Sequence, residues 1–310
     1  MAEKPGVKPF RTYAQQVDLL ESRGMLVKDR SRAEQQLATL NYYRLSGYWH
    51  TMRRLDPRTG GSTDSFREGA SFELVVELYE FDERLRGAIF TDLARIELAV
   101  RALIGHHLGA VDPLIYLDTD ALGAPASQPS RRKPDVTTHG EWLQKFNSAL
   151  RISKEEFVAH HRQRYDGALP VWVAVEVMDW GMLSYLYRMA PGKVRNAIAK
   201  VCGLTSPQME SWLKCLNILR NYAAHHARVF NRGFDITPKL SQDRRLDVIR
   251  NTKNRAFGQL TLIRYLHHEL NLPGQGRLPA IVGTFPHNDL VPFERLGAPE
   301  EWHEHPLWKT

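Results

Sequence analysis

The sequence predicts an all-α protein: a helical bundle with a helical N-terminal region and an extended C-terminal strap. Three observations predict it. Apolar residues recur every three or four positions from Phe72 to about Leu108, through Leu74, Leu78, Phe81, Leu85, Ile89, Leu93, Ile96, Val100 and Leu103. That is the period of one face of a long helix. Shorter runs of the same period lie on either side. With 310 residues, 43% hydrophobic and 25% charged, the chain can bury a substantial core and is globular rather than disordered. The expected division is an N-terminal helical region over 1–69, a helical domain over 70–270 and a tail over 271–310.

Met1 to Pro9 is rich in Lys and Pro and reads as a loose arm. Tyr13, Val17 and Leu20 form one apolar helix face, and Arg23-Gly24 reads as its stop. A second helix over Ser31 to Leu40 leads into Asn41-Tyr42-Tyr43-Arg44-Leu45-Ser46-Gly47-Tyr48-Trp49. Tyr43 and Arg44 are candidates for RNA contact, since rings stack on bases and a guanidinium holds phosphate. A tyrosine-rich packing corner is the alternative. Arg53 to Gly69 reads as a loop or β-turn. The long run from Phe72 follows, as one helix or two.

Asp118 to His139 reads as a flexible basic surface loop, and Arg131-Arg132-Lys133 as a charge run that is solvated or touches an RNA backbone. Helices resume at Glu141 to Leu150 and Lys154 to Arg164. Beyond Leu169-Pro170, the residues Trp172, Val175, Leu183 and Leu186 are expected in the core, and Gly181 to allow a close helix contact or a kink. Leu246 to Leu270 reads as a last amphipathic helix. Phe285, Trp302 and Trp308 argue that the tail is an ordered strap laid on the helices.

Lys plus Arg outnumber Asp plus Glu by 42 to 35, a net charge of +7, and the isoelectric point is about 9.4. This balance favours a polyanionic partner, nucleic acid foremost. Cys202 and Cys215 are too few for a disulfide framework and lack zinc-site spacing, which fits a reducing cytoplasm. No apolar run is long enough to span a bilayer and no N-terminal segment reads as a signal peptide, so a cytoplasmic protein with no membrane partner is expected. Histidine pairs recur, but without a ligand set such as H-E-x-x-H, and there is no P-loop or dinucleotide fingerprint. No metal and no cofactor are expected.

The stretch from Asn217 to Arg232 carries the chemistry. It reads as a helix followed by a basic, polar turn. Asn217, Asn221, His225 and Arg228 fall at spacings of four, four and three, along one stripe. Two amides, an imidazole and a guanidinium are poor core material and suit a cleft that handles phosphate. Cleavage of RNA by its own 2'-hydroxyl needs a base, a clamp for the anionic phosphorus centre and an acid for the leaving oxygen. Histidine can move protons near neutrality, a guanidinium can clamp phosphate, and Asn can hold either in place. Arg220, Asn221 and His225 are therefore the candidate catalytic residues. Arg220 lies about 140° around the helix from His225, so they converge only if the Arg swings back or a second helix helps. His226 is a supporting hydrogen-bonding group or simply faces a neighbouring helix. Arg228 and Arg232 are candidates for RNA contact. Arg101-x4-His106 repeats the spacing without the Asn and reads first as a helix ion pair between Arg101 and Glu97.

Arg220-Asn221-x-x-x-His225 resembles the R-x4-6-H signature of HEPN-domain ribonucleases. The wider string Leu219-Arg220-Asn221-Tyr222-Ala223-Ala224-His225-His226-Ala227-Arg228, ending at Asn231-Arg232, resembles the Abi family of bacterial abortive-infection proteins (AbiD/AbiF-like). Further blocks carry the same resemblance: Asn41 to Tyr48, Phe81-Asp82-x-x-Leu85-Arg86, Ile96-Glu97-x-x-x-Arg101, and Leu169-Pro170-Val171-Trp172 with Glu176 and Trp180-Gly181-x-Leu183-Ser184. It spans roughly Lys8 through the last helix. The resemblance implies a HEPN-like bundle, with a winged-helix-like N-terminal region as one reading. It also implies an anti-phage or toxin-like role as a metal-independent endoribonuclease leaving 2',3'-cyclic phosphate ends. A homodimer with a composite cleft is implied, with an RNA or protein antitoxin as a further partner. In HEPN proteins an earlier helix supplies an acidic or polar residue that steadies the motif Arg, which makes Glu97 or Glu176 the candidate, with Arg101 in support. Two other readings stay open: a non-catalytic RNA-binding or regulatory module of an anti-phage system, and a structural protein in which Arg220 and Asn221 brace helices.

Overall fold

The computed structural model describes residues 6–309; the arm expected over Met1 to Pro9 lies, up to residue 5, outside the described residues. The protein is all-α, and among the described residues its sheet structure is a single two-stranded hairpin. The chain forms two compact units, Met1–Leu85 with Ala280–Arg295, and Arg86–Pro279 with Leu296–Thr310.

In the first unit, α1 (Tyr13–Ser22) starts at a capping box in which Thr12 and Gln15 satisfy each other's backbone N–H groups. It buries Val17 and Leu20 and stops at Arg23, after which Gly24 turns the chain at φ +90°. Helices α2 (Arg30–Leu40) and α3 (Tyr42–Trp49) meet at Asn41, whose φ of +66° breaks the run and whose side chain accepts from Tyr43 N at 2.9 Å. The tyrosine-rich stretch divides between core and surface. Tyr48 and Trp49 are core, with Tyr48 Oη donating to Asp82 at 2.7 Å, whereas Tyr43 stands exposed. Arg53 to Gly69, expected as a loop or turn, contains the antiparallel hairpin β1 (Arg53–Leu55) and β2 (Ser62–Phe66). Its strands are poor in β-branched and aromatic residues, so composition hid it; Phe66 anchors it edge-on to Trp49.

The long apolar period is one helix, α4 (Phe72–Gly109), which belongs to the first unit up to Leu85 and to the second from Arg86. The second unit adds α5 (Thr138–Ile152), α6 (Glu156–Arg164), α7 (Val171–Ala174), α8 (Trp180–Met189), α9 (Gly192–Val201), α10 (Ser206–Ala224) and α11 (Ala256–Glu269). A last helix, α12 (Arg277–Val282), runs across the division between the units. The single amphipathic helix expected over Leu246 to Leu270 is in fact two pieces. Arg244–Ile249 is a 3-10 turn, and α11 is buried on every side from Ala256 to His267. Most of its polar groups are paired, Gln259 Oε1 being the exception. Arg264 Nε donates to Leu307 O at 2.6 Å, Trp308 Nε1 donates to Thr261 Oγ1 at 3.1 Å, and His267 Nε2 lies 3.1 Å from Asp92 O. Trp308 stacks on Phe257 with ring centroids 4.4 Å apart, so the segment around Trp308 packs on α11. Among the described residues no helix is long and apolar enough to cross a membrane.

Candidate functional site

Helix α10 begins at a second capping box, Thr205 with Gln208, and has Pro207 in its first turn. Met209, Trp212, Leu213, Leu216, Leu219 and Ala223 bury one face. The helix ends at Ala224. His225 is the capping residue, and His226 takes the left-handed conformation at φ +55°. His226 N donates to Ala223 O at 3.3 Å and Ala227 N to Tyr222 O at 2.9 Å, a Schellman closure made with histidine where glycine is usual. Arg228 therefore leaves the helix. The expected four-residue stripe is corrected to three: Asn217, Asn221 and, with its N–H on Asn221 O at 3.0 Å, His225.

A cleft of about 320 Å³ opens beside α10. Its walls are fixed by two buried indoles: Trp142 Nε1 of α5 donates to Met182 O at 3.0 Å, and Trp180 Nε1 of α8 donates to Leu213 O at 2.9 Å. Asn217, Arg220 and Asn221 line one side, and Arg132, Glu141, Lys145, Asp179, Gly181 and Tyr185 are among the residues opposite. His225 does not line this cleft; it is exposed at the helix end. Arg220 is half-buried. Its guanidinium lies 5.7 Å from the Phe90 ring centroid, and its Nη1 donates to Asn221 Oδ1 at 3.4 Å.

The sequence reading missed Lys145 and Asp179. Asp179 caps α8 through Met182 N at 2.8 Å and accepts from Lys145 Nζ at 2.7 Å. Burial alone would raise its carboxyl, but the bonds from Lys145 and from the Met182 backbone outweigh that and hold it below the usual range. Only the Asp179-Trp180-Gly181 helix start could have signalled it. Gly181 lines the cleft, where α8 comes close to Asn217 of α10. A Cβ there would lie 3.1 Å from Asp179 Oδ1 and 3.9 Å from Asn217 Nδ2, so the glycine keeps the cleft open.

Glu97, Arg101 and Glu176 come together. Arg101 donates to Glu97 Oε1 at 2.8 Å, to Met178 O at 3.0 Å and to Glu176 Oε2 at 3.4 Å. Burial raises the Glu97 carboxyl, the positive charges of Arg101 and then Arg220 pull it down, and Asp179 pushes it up. Glu97 thus feels both guanidinium groups. His106 is exposed in an open groove beside Trp172. Trp172 itself, expected in the core, is 50% exposed. It rides on α4, where a Cβ at Gly109 would come within 2.6 Å of its ring.

The remaining candidates are scattered. Arg232 lies 4.2 Å over the Tyr222 ring, Arg228 is half-buried and His226 is exposed. Tyr43 and Arg44 are both exposed on the first unit. Among the described residues no group of three or more His, Cys, Asp or Glu is placed to hold a metal ion.

A family model described as Abi-like protein matches residues 35–231, more than half of the chain. The chain belongs to the Abi-like family. The Abi-like match takes in Glu97, Arg101, Glu176 and the whole of α10 with its histidine cap, and stops one residue before Arg232. It is shorter at both ends than the span of resemblance read from the sequence. No curated protein and no solved structure matches the chain.

Proposed function

We propose that this Abi-like protein is an anti-phage or toxin-like endoribonuclease that cleaves RNA without a metal. The observation that carries the reading is the placing of Arg220 and Asn221 on a polar cleft of mixed charge, with His225 one helical turn beyond them. Arg220 and Arg132, both in the cleft lining, offer the charge that a scissile phosphate needs, while Lys145 is paired with Asp179. In the reaction the 2'-oxygen attacks phosphorus, and its proton passes to a neutral imidazole. The phosphorus–5'-oxygen bond breaks, and the leaving oxygen takes a proton from an imidazolium. The products are a 2',3'-cyclic phosphate and a 5'-hydroxyl.

A single His225 does not perform both transfers at once, and it stands outside the cleft of its own chain. A second copy of the chain would supply the other histidine, which makes a homodimer with a shared cleft part of the proposal. Glu97 orients Arg220 through its charge and is itself shared with Arg101. An RNA or protein antitoxin would act by occupying the same cleft. The second reading is a module that holds RNA and does not cut it, favoured by the absence of His225 from the cleft lining. His225→Ala separates the two. The nuclease reading expects cleavage to fall by about a hundredfold or more with RNA affinity kept. Cleavage unchanged in this variant contradicts it.

A further inference from the structure

We propose that the first unit carries a second RNA site, a groove of about 530 Å³ that takes single-stranded RNA. It lies between the segment before α1, α1 itself and the α2–α3 junction. Lys8, Phe10, Arg11, Tyr13, Arg23 and Tyr43 give it its character. Among the described residues its lining holds no carboxylate; Lys8 and Arg11 face it together with Arg23, which is paired with Asp64. Phe10 is 90% exposed, Tyr43 64% and Tyr13 49%.

Large rings standing in water are costly unless something covers them. Rings interleaved with cations match one occupant in particular, a chain that alternates flat bases with phosphates. Lys8 Nζ already sits 5.7 Å over the Tyr43 ring, so a cation and a stacking face are presented together. Phe10 and Arg11 also line a second hollow, together with Gln15 and Asp18. Arg23 is held at the groove by Asp64 at 2.6 Å, a fixed point rather than a free arm. An acidic peptide would satisfy the cations but would leave the rings without flat partners.

The choice of RNA over DNA rests on the proposed function; the groove's chemistry does not depend on cleavage. The test is fluorescence anisotropy with a labelled 12-nucleotide oligouridylate and full-length protein carrying His225→Ala, so that the probe survives. Phe10→Ala and Tyr43→Ala should each weaken binding about tenfold. Lys8→Glu with Arg11→Glu should flatten the dependence of affinity on salt. Both rings are exposed, so loss of fold does not confound the result. Unchanged oligouridylate affinity in the Phe10→Ala/Tyr43→Ala double variant overturns the groove, and is what a protein occupant would give. Equal affinity for oligothymidylate of the same length overturns the assignment to RNA. Failure of the nuclease reading shows separately, as absent cleavage by the wild type with the ring-dependent binding intact.

Discussion

At the scale of single residues, the cleft is decided by what is missing as much as by what is present. Gly181 leaves the space that any side chain would fill, between Asp179 and Asn217. Gly181→Val should lower RNA cleavage by about tenfold or more while the melting temperature moves little, because the change blocks a solvent-filled cleft and leaves the core intact. Asp179 contributes stability through Lys145 and the α8 cap. Its folded pKa lies below the ordinary 3.8, so this contribution is present above that value and is lost as pH falls through the folded pKa. Asp179→Asn keeps a capping side chain but removes the charge. It should cost under about 1 kcal/mol at pH 7, the pair being half-exposed and screened. The gap from wild type should close in thermal melts below about pH 4.

At the scale of elements, the two capped ends of α10 set where the chemistry can be. The start carries a Thr-x-x-Gln capping pattern, although the helix read from the sequence began only at Asn217. The end was not legible, because His226 takes a conformation that sequence rarely assigns to histidine. His226→Gly should leave the helix end intact, whereas His226→Val should destabilise by about 1–2 kcal/mol in denaturant unfolding, since a β-branched side chain resists that backbone. The buried helix α11 has an equally sharp test. A Cβ at Gly258 would meet Thr252 O and Lys253 Cα at 2.7 Å, both backbone atoms that cannot swing aside. Gly258→Ala should cost about 1–3 kcal/mol. Helix α4 was readable because nine apolar residues keep one period along it. Helix α11 misled because four polar residues sit in its buried run, and Arg264 and His267 find partners, Leu307 O and Asp92 O, in segments far away in the chain. The cleft was half legible for the same reason. Arg220 and Asn221 are adjacent in a recognisable string, but Lys145 and Asp179 meet across 34 positions with no local pattern to join them.

At the scale of the whole molecule, the net charge of +7 favours a polyanionic partner. RNA affinity should fall steeply and linearly with the logarithm of salt concentration, which a titration between low and physiological salt would measure. The central claim is cleavage by the protein's own side chains. It is tested most directly by incubating purified full-length protein with a mixed RNA pool in EDTA and analysing the new ends. The account predicts 2',3'-cyclic phosphate and 5'-hydroxyl ends from the wild type and none from Arg220→Ala or His225→Ala. Equal cleavage by the wild type and both variants, or RNA bound tightly and left whole by the wild-type protein, would contradict it.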